Sequence, residues 1–381
     1  MTACGVYVHV PFCRRKCSYC GFYSVPIADD CELRAACAAF TERIVDEIEQ
    51  RLAGVRTPLC VDTIYFGGGT PSLLDPQEVH RVLLAVRRVM DVSDGAEITL
   101  EMRPDDCAPA SLDAYRDVGV NRVVLGVQTL SEAMHREIGR AGTLCSGEHL
   151  DIFFEAKGII RCVDFIIGMP GETEEVLMRD IDSIAGRRPA HVSFYLLSIE
   201  PGTPLAARSA FFPEDEESQA RLLELTMDCL SEHGYHHYEI SNYSLPGFES
   251  RHNMKYWTFN PYLGFGPGAH SFFGGERFFN NMTVWDYLSS NEVRLERDPR
   301  TRVSAAAEYL MTGLRLTAGV SLRQMEARLS FDIPHEVRVR IGHAVKAGLL
   351  EWDKEADVIR LTRAGILVSN RVIYDIVEPL L

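Results

Sequence analysis

Short apolar runs alternate with amphipathic stretches over roughly the first two hundred residues, and this alternation limits the fold more than any motif does. Val6–Val10, Val61–Phe66, Glu97–Met102, Asn121–Gln128, Ile159–Ile167 and His191–Leu197 read as strands. Leu33–Leu52 reads as a helix, another follows Pro76, and helical patterns follow each later strand. Several strands are apolar on both faces, the pattern of a parallel sheet covered by helices. A closed eight-unit barrel typically needs ~250 residues, so six repeats predict an incomplete (β/α)6 barrel. A doubly wound open sheet is the rival. The polar and Gly-rich motifs lie just after strand ends, where a parallel barrel builds its active site, and this favours the barrel.

From about Ala305 the pattern changes. Three helical segments, 305–316, 322–329 and 335–350, precede two short strands, 349–353 and 358–362, and a last apolar helix is expected near Arg363. This α+β tail is winged-helix-like. Such modules often bind nucleic acid, but a net charge of −15 argues against it, because nucleic-acid-binding domains carry a basic face. A structural lid or an interaction surface is the expectation. The chain is expected to divide into a core barrel at 1–240, a connecting segment at 241–300 and a tail domain at 301–381. No stretch approaches the ~20 apolar residues of a membrane span, and no signal peptide is visible. A cytoplasmic protein is expected, in which the eleven cysteines stay reduced and available to metals.

Cys13, Cys17 and Cys20 form a C-x3-C-x2-C run beside Arg14, Arg15 and Lys16. The neighbouring cations predict a polar, exposed loop, so a chance cluster of buried thiols is the weaker reading. Zinc normally takes four protein ligands, and His9 is available as a fourth. An iron–sulfur cluster held wholly by protein also takes four thiolates, so three would leave one iron open to another ligand. The other eight cysteines show no ligand spacing and are expected to be mostly small buried hydrophobes. Phe66–Ser72, "FGGGTPS", is a Gly-rich turn after the second strand; it is either a tight turn or a place where backbone approaches a ligand.

The C-x3-C-x2-C run resembles the hallmark of the radical S-adenosylmethionine superfamily. That resemblance implies a [4Fe–4S] cluster on Cys13, Cys17 and Cys20. It also implies S-adenosylmethionine chelating the fourth iron through its amino and carboxylate groups. It assigns Gly68, Gly69 and Thr70 to the methionine end of that cofactor and Glu101 to its ribose. Gln128, Arg140, Asp164 and Tyr7 match further cofactor contacts. Taken singly, each of these residues reads as a solvated or structurally paired side chain; their order along the chain changes the balance.

"YVHVPFC", "FGGGTPS", "GVQ" and "GMPGET" resemble the coproporphyrinogen-dehydrogenase-like branch, and the tail resembles that branch's C-terminal module. The oxidases of the branch carry a further cysteine where this chain has Phe22, and an extension where it has twelve residues before Cys13. These departures imply that coproporphyrinogen oxidase activity is absent. "RHNMKYW", Arg251–Trp257, matches the H-N-x-x-Y-W signature of HemW-type haem chaperones. That resemblance implies haem as ligand, His252 as its axial ligand, and delivery to membrane haemoproteins, with a peripheral membrane location and a homodimer as further expectations. The plain alternative is a loop over the barrel mouth with His252 in a structural hydrogen bond. The rival functions are a radical enzyme of porphyrin metabolism and a zinc protein with a nucleic-acid module. Two positions depart from the family pattern: Arg103 replaces the asparagine of E-x-N-P, and Gly142 replaces a histidine two residues after Arg140.

Overall fold

A computed structural model describes residues 3–53, 59–211 and 216–381. The chain divides into two compact units, Met1–Thr226 with Pro261–Arg297, and Met227–Asn260 with Asp298–Leu381. The 241–300 segment is thus shared between the two units.

In the first unit the six expected strands are β1 Cys4–Val10, β2 Cys60–Gly68, β3 Asp91–Met102, β4 Arg122–Gln128, β5 Ile160–Ile167 and β6 His191–Leu196. They pair in chain order and all in parallel. The outer edge of β1 is taken by another parallel strand, β7 Tyr262–Phe265. β7 continues antiparallel into β8 His270–Phe273 and β9 Glu276–Asn280. The sequence reading did not foresee these last three strands. They are four or five residues long and lie in a segment rich in glycine and aromatic residues, without the longer apolar runs of the repeats.

The main helices between these strands are α1 Asp30–Leu52, α2 Pro76–Val89, α3 Pro109–Asp117, α4 Gly147–Glu155 and α5 Glu174–Ala185. α1 starts three residues before the apolar pattern, because the Asp29 carboxylate accepts the backbone N–H groups of Cys31 and Glu32. α2 starts at Pro76 behind a capping box between Asp75 and Glu78. Phe40, Ile44 and Ile48 of α1 and Val79, Val82 and Val86 of α2 are fully buried, as are Val6, Val8 and Val10 of β1. This apolar layer holds the strand ends in place.

In the second unit, Arg251–Trp257 is helix α6. The tail comprises α7 Arg302–Gly313, β10 Val320–Ser321, α8 Leu322–Leu329, α9 His335–Lys346, β11 Leu350–Asp353, β12 Val358–Leu361, α10 Arg363–Leu367 and α11 Ser369–Val377. Its sheet has the order β10-β12-β11, so a third short strand joins the expected pair. α9 ends before Gly348, whose φ of +73° ends helical geometry. No helix among the described residues is long and apolar enough to cross a membrane.

Candidate functional site

Along the later halves of β1 to β5 nearly every residue is buried, whereas β6 ends in the exposed Tyr195 and Leu196. The partly accessible positions are Tyr7 in β1, Tyr65 and Gly68 in β2, Glu101 in β3, Gly126 and Gln128 in β4, and Asp164 in β5. Tyr7 is directly opposite Tyr65, and Gly126 is opposite Asp164. A stripe of partly accessible, mostly polar residues therefore crosses the sheet, with its members on neighbouring strands.

The Tyr65 hydroxyl donates to Glu101 Oε1 at 2.8 Å, and the Gly68 N–H also donates to this carboxylate. Burial raises the Glu101 pKa to about 7 against these bonds, and the nearby Asp164 carboxylate adds to the rise. Asp164 is raised to about 6 by burial, opposed by a Ser193 hydrogen bond and by the Arg122 and Arg140 cations. Tyr65, absent from the sequence reading, thus joins the stripe. Its place inside the apolar run "VDTIYF" gave it no polar signature.

The Glu101 shift has a stability consequence. Its unfolded value is 4.5, and its folded value lies above that, so the contribution is present below pH 4.5 and lost as pH rises through about 7. Glu101→Gln is therefore expected to raise stability above pH 7 by on the order of 2 kcal/mol and to have little effect near pH 4. Thermal unfolding at both pH values reads this; an equal shift at the two would refute it.

Cys13 is buried at the end of β1, and Cys17 and Cys20 are half-buried, with Arg14, Arg15 and Lys16 exposed between them. The loop cations are on the surface as expected, but the thiols themselves are sheltered. Burial raises the Cys20 pKa, and the charges of Cys17 and Cys13 raise it further, so the three sulfurs are within electrostatic reach of one another. Thr70 Oγ1 donates to Cys13 Sγ at 3.3 Å, and the Ala141 N–H donates to Cys17 Sγ at 3.3 Å. Each of these two sulfurs thus accepts one hydrogen bond. His9 is engaged at both ring nitrogens, Nδ1 with the Tyr7 hydroxyl at 3.0 Å and Nε2 with the Tyr23 carbonyl at 2.8 Å. A fourth ligand from His9, as the zinc reading needs, would cost one of these two bonds. Three cysteines on one loop, two of them accepting hydrogen bonds, are the donor set a cluster with one open iron would need, although among the described residues no three His, Cys, Asp or Glu side chains are already gathered to hold a metal ion.

The Gly-rich turn serves the fold as well as any ligand. A Cβ on Gly68 would lie 2.6 Å from the His9 ring, and one on Gly69 would lie 2.9 Å from the Val10 carbonyl oxygen. Gly69 N–H donates to that same oxygen at 2.8 Å. The glycines let the turn close onto the end of β1, and this closure delivers Thr70 to Cys13.

Arg140 bridges the cluster loop and the sheet. Its guanidinium donates to the Tyr19 hydroxyl at 2.8 Å and to the Gly126 carbonyl at 2.5 Å. Gln128 closes β4 in the left-handed region, at φ +69°. Arg103 and Gly142, read as two separate departures, are in contact. A Cβ on Gly142 would land on the Arg103 guanidinium and the Asp105 carboxylate. Glycine at 142 leaves both side-chain ends in place, and its φ of +91° is by itself a conformation that favours glycine.

Of the remaining cysteines, Cys4, Cys37, Cys107, Cys145, Cys162 and Cys229 are buried, whereas Cys31 and Cys60 are exposed.

In the second unit, the His252 segment is a helix and not a loop. Ser250 caps it by accepting the Asn253 N–H. His252 is fully buried, and its Nε2 is 2.9 Å from the Tyr256 hydroxyl. Burial, helped by the Lys255 cation, lowers its pKa to about 3, so the imidazole is neutral. Arg315 stacks over the Trp257 ring at 5.0 Å. His252 and Tyr256 therefore form a hydrogen-bonded pair, as the plain alternative required, on a helix whose residues still carry the whole signature.

The sequence pattern of the Radical SAM superfamily matches residues 7–184, and that of the HemN C-terminal domain matches residues 301–368. The chain is 30% identical to "Heme chaperone HemW" of Lactococcus lactis over 96% of its length and 95% of that protein. It is 34% identical to HemW of Mycobacterium tuberculosis, covering 97% and 93%. Among solved structures, coproporphyrinogen III oxidase (HemN) from Escherichia coli superposes with a TM-score of 0.81 over 98% of this chain and 90% of that one. At 20% identity this likeness concerns the fold. The expected radical SAM barrel with a HemN-like tail is the architecture found.

Proposed function

The chain belongs to the HemW family, and from that premise we propose that it is a haem chaperone that uses a [4Fe–4S] cluster and S-adenosylmethionine. Cys13, Cys17 and Cys20 would hold the cluster, with Thr70 and the Ala141 N–H supporting two of the thiolates. When bound, the cluster supplies an electron to the sulfonium of S-adenosylmethionine. The polar stripe would hold that cofactor. Gly68 and Gly69 would offer backbone to the methionine end, Glu101 would accept from the ribose hydroxyls, and Tyr7, Gln128, Arg140 and Asp164 would line the rest.

The observation that carries the haem reading is His252. A metal ligand must present a neutral imidazole, and this ring stays neutral at every physiological pH. Ligation would exchange the Tyr256 hydroxyl for iron at Nε2, leaving Tyr256 and Trp257 as ring surface for a flat tetrapyrrole. Phe22 stands exposed at 69% where the oxidases carry their extra cysteine, so the oxidase reading lacks a residue it needs. The proposal extends to membrane haemoproteins as acceptors, a peripheral membrane location and a homodimer. Vesicle co-sedimentation and light scattering of the same preparation read the last two.

The test is an anaerobic haem titration of the cluster-loaded chain, followed by the Soret band. Wild type should bind saturably, and His252→Ala at least ~10-fold more weakly, a loss of about 1.4 kcal/mol. Equal affinity in the two would remove His252 from the site. No binding by wild type, or conversion of coproporphyrinogen, would move the chain to the enzymes of porphyrin metabolism.

A further inference from the structure

The loop 139–143 reaches the cluster site from beside β4, and two side chains following β3 clamp it. The Arg103 guanidinium donates to the Ala141 carbonyl. The Asp105 carboxylate accepts the Thr143 N–H at 2.9 Å and lies 3.5 Å from Arg103 Nε. Gly142 sits between these two anchors at φ +91°, without space for a Cβ. On its other side the loop gives the Ala141 N–H to Cys17 Sγ and the Gly139 carbonyl to the Ser18 N–H at 3.1 Å. Ala141 is therefore held by Arg103 at its carbonyl and holds Cys17 with its amide. The Arg103 side chain is only 16% exposed, so its charge is weakly screened by solvent.

We propose that Arg103 is a positioning residue for the cluster: through Ala141 it fixes the Cys17 sulfur, and through its charge it raises the cluster's reduction potential. The proposal rests on the reading of Cys17 as a cluster ligand. The physics is general: hydrogen bonds to ligand sulfurs and nearby charge tune iron–sulfur potentials, and a cation favours the more negative, reduced cluster. Removing the cation leaves Asp105 unpaired beside the site, which acts in the same direction.

The experiment uses the full chain, reconstituted anaerobically, as wild type, Arg103→Gln, Arg103→Lys, Gly142→Ala and the double variant Arg103→Gln/Gly142→Ala. Two quantities are read: the midpoint potential by titration of the reduced cluster's paramagnetic signal, and the rate of iron release to a chelator. Arg103→Gln should shift the potential to a more negative value and release iron about 10-fold faster. Arg103→Lys restores charge but not the planar fork. Its potential should return toward wild type while its iron release stays fast. Gly142→Ala should speed release in both backgrounds, because φ +91° and the Asp105 contact strain any L residue there whatever stands at 103. The proposal is overturned if Arg103→Gln loads fully with unchanged potential and release, or if Lys is no closer to wild type than Gln in potential. If Arg103→Gln takes up no cluster, the Lys variant carries the potential measurement. A wild type that takes up no cluster would overturn the cluster reading itself, and this proposal with it.

Discussion

Cys17→Ser, reconstituted anaerobically beside wild type, should retain neither iron nor acid-labile sulfide above background, while wild type takes up the four irons of a cubane. Three thiolates are already one fewer than a protein-held cluster normally has. Removing one leaves two, and among the described residues no three His, Cys, Asp or Glu side chains are gathered to hold a metal in its place, while His9 is committed at both nitrogens to Tyr7 and Tyr23. The loss is specific to the site. Cys17 is only half-buried, so the apo-protein should unfold within about 0.5 kcal/mol of wild type. Cys60→Ser is the matched control: its thiol is exposed and touches Ser93 at 3.7 Å, far along the chain from the motif, and it should load like wild type. Metal analysis on the same samples separates the rival metal, since zinc without sulfide in wild type would return the site to a zinc reading. Full iron loading of Cys17→Ser would place the ligands elsewhere.

Much of this site was legible in the sequence because its residues are local to strand ends. Cys13, Gly68, Glu101, Gln128 and Asp164 lie at or near the later ends of successive strands, and the apolar runs locate those ends to within a few residues. Pairwise contacts between distant segments were not legible. "FGGGTPS" reads as backbone opened for a ligand, yet its glycines also let the turn pack on β1, and Thr70 meets Cys13 across fifty-seven residues. Arg103 and Gly142 read as two independent departures, whereas they are in contact. Ser250, which caps α6, was a usable sign that the His252 segment is helical. It was outweighed by the glycines and aromatics that follow.

The strongest hidden term is an ion pair inside the sheet. Glu97 of β3 and Arg122 of β4 are 5% and 2% exposed, and the guanidinium donates to the carboxylate at 3.2 Å. Neither strand announces it, since β3 carries Glu101 as well as Glu97 in its apolar run, β4 shows only Arg122, and the partners are 25 residues apart. Such a pair adds little net stability, because its attraction is largely spent on desolvation, but breaking it leaves the Arg122 cation with only the more distant Asp164 charge and the Cys162 sulfur to offset it in a low-dielectric interior. Glu97→Gln should therefore destabilise the barrel unit by about 3–5 kcal/mol. That is a large share of the ~5–15 kcal/mol that holds a domain together. The consequence reaches the site, because β3 and β4 end in Glu101 and Gln128, and a sheet that opens there loses the polar stripe. Glu97→Leu with Arg122→Met, apolar and of similar bulk, should recover most of the loss. Urea unfolding of the three chains at one pH decides the matter. A loss below about 1 kcal/mol for Glu97→Gln would mean that water or another anion reaches Arg122. A double variant as unstable as the single would mean that the pair contributes packing rather than charge balance.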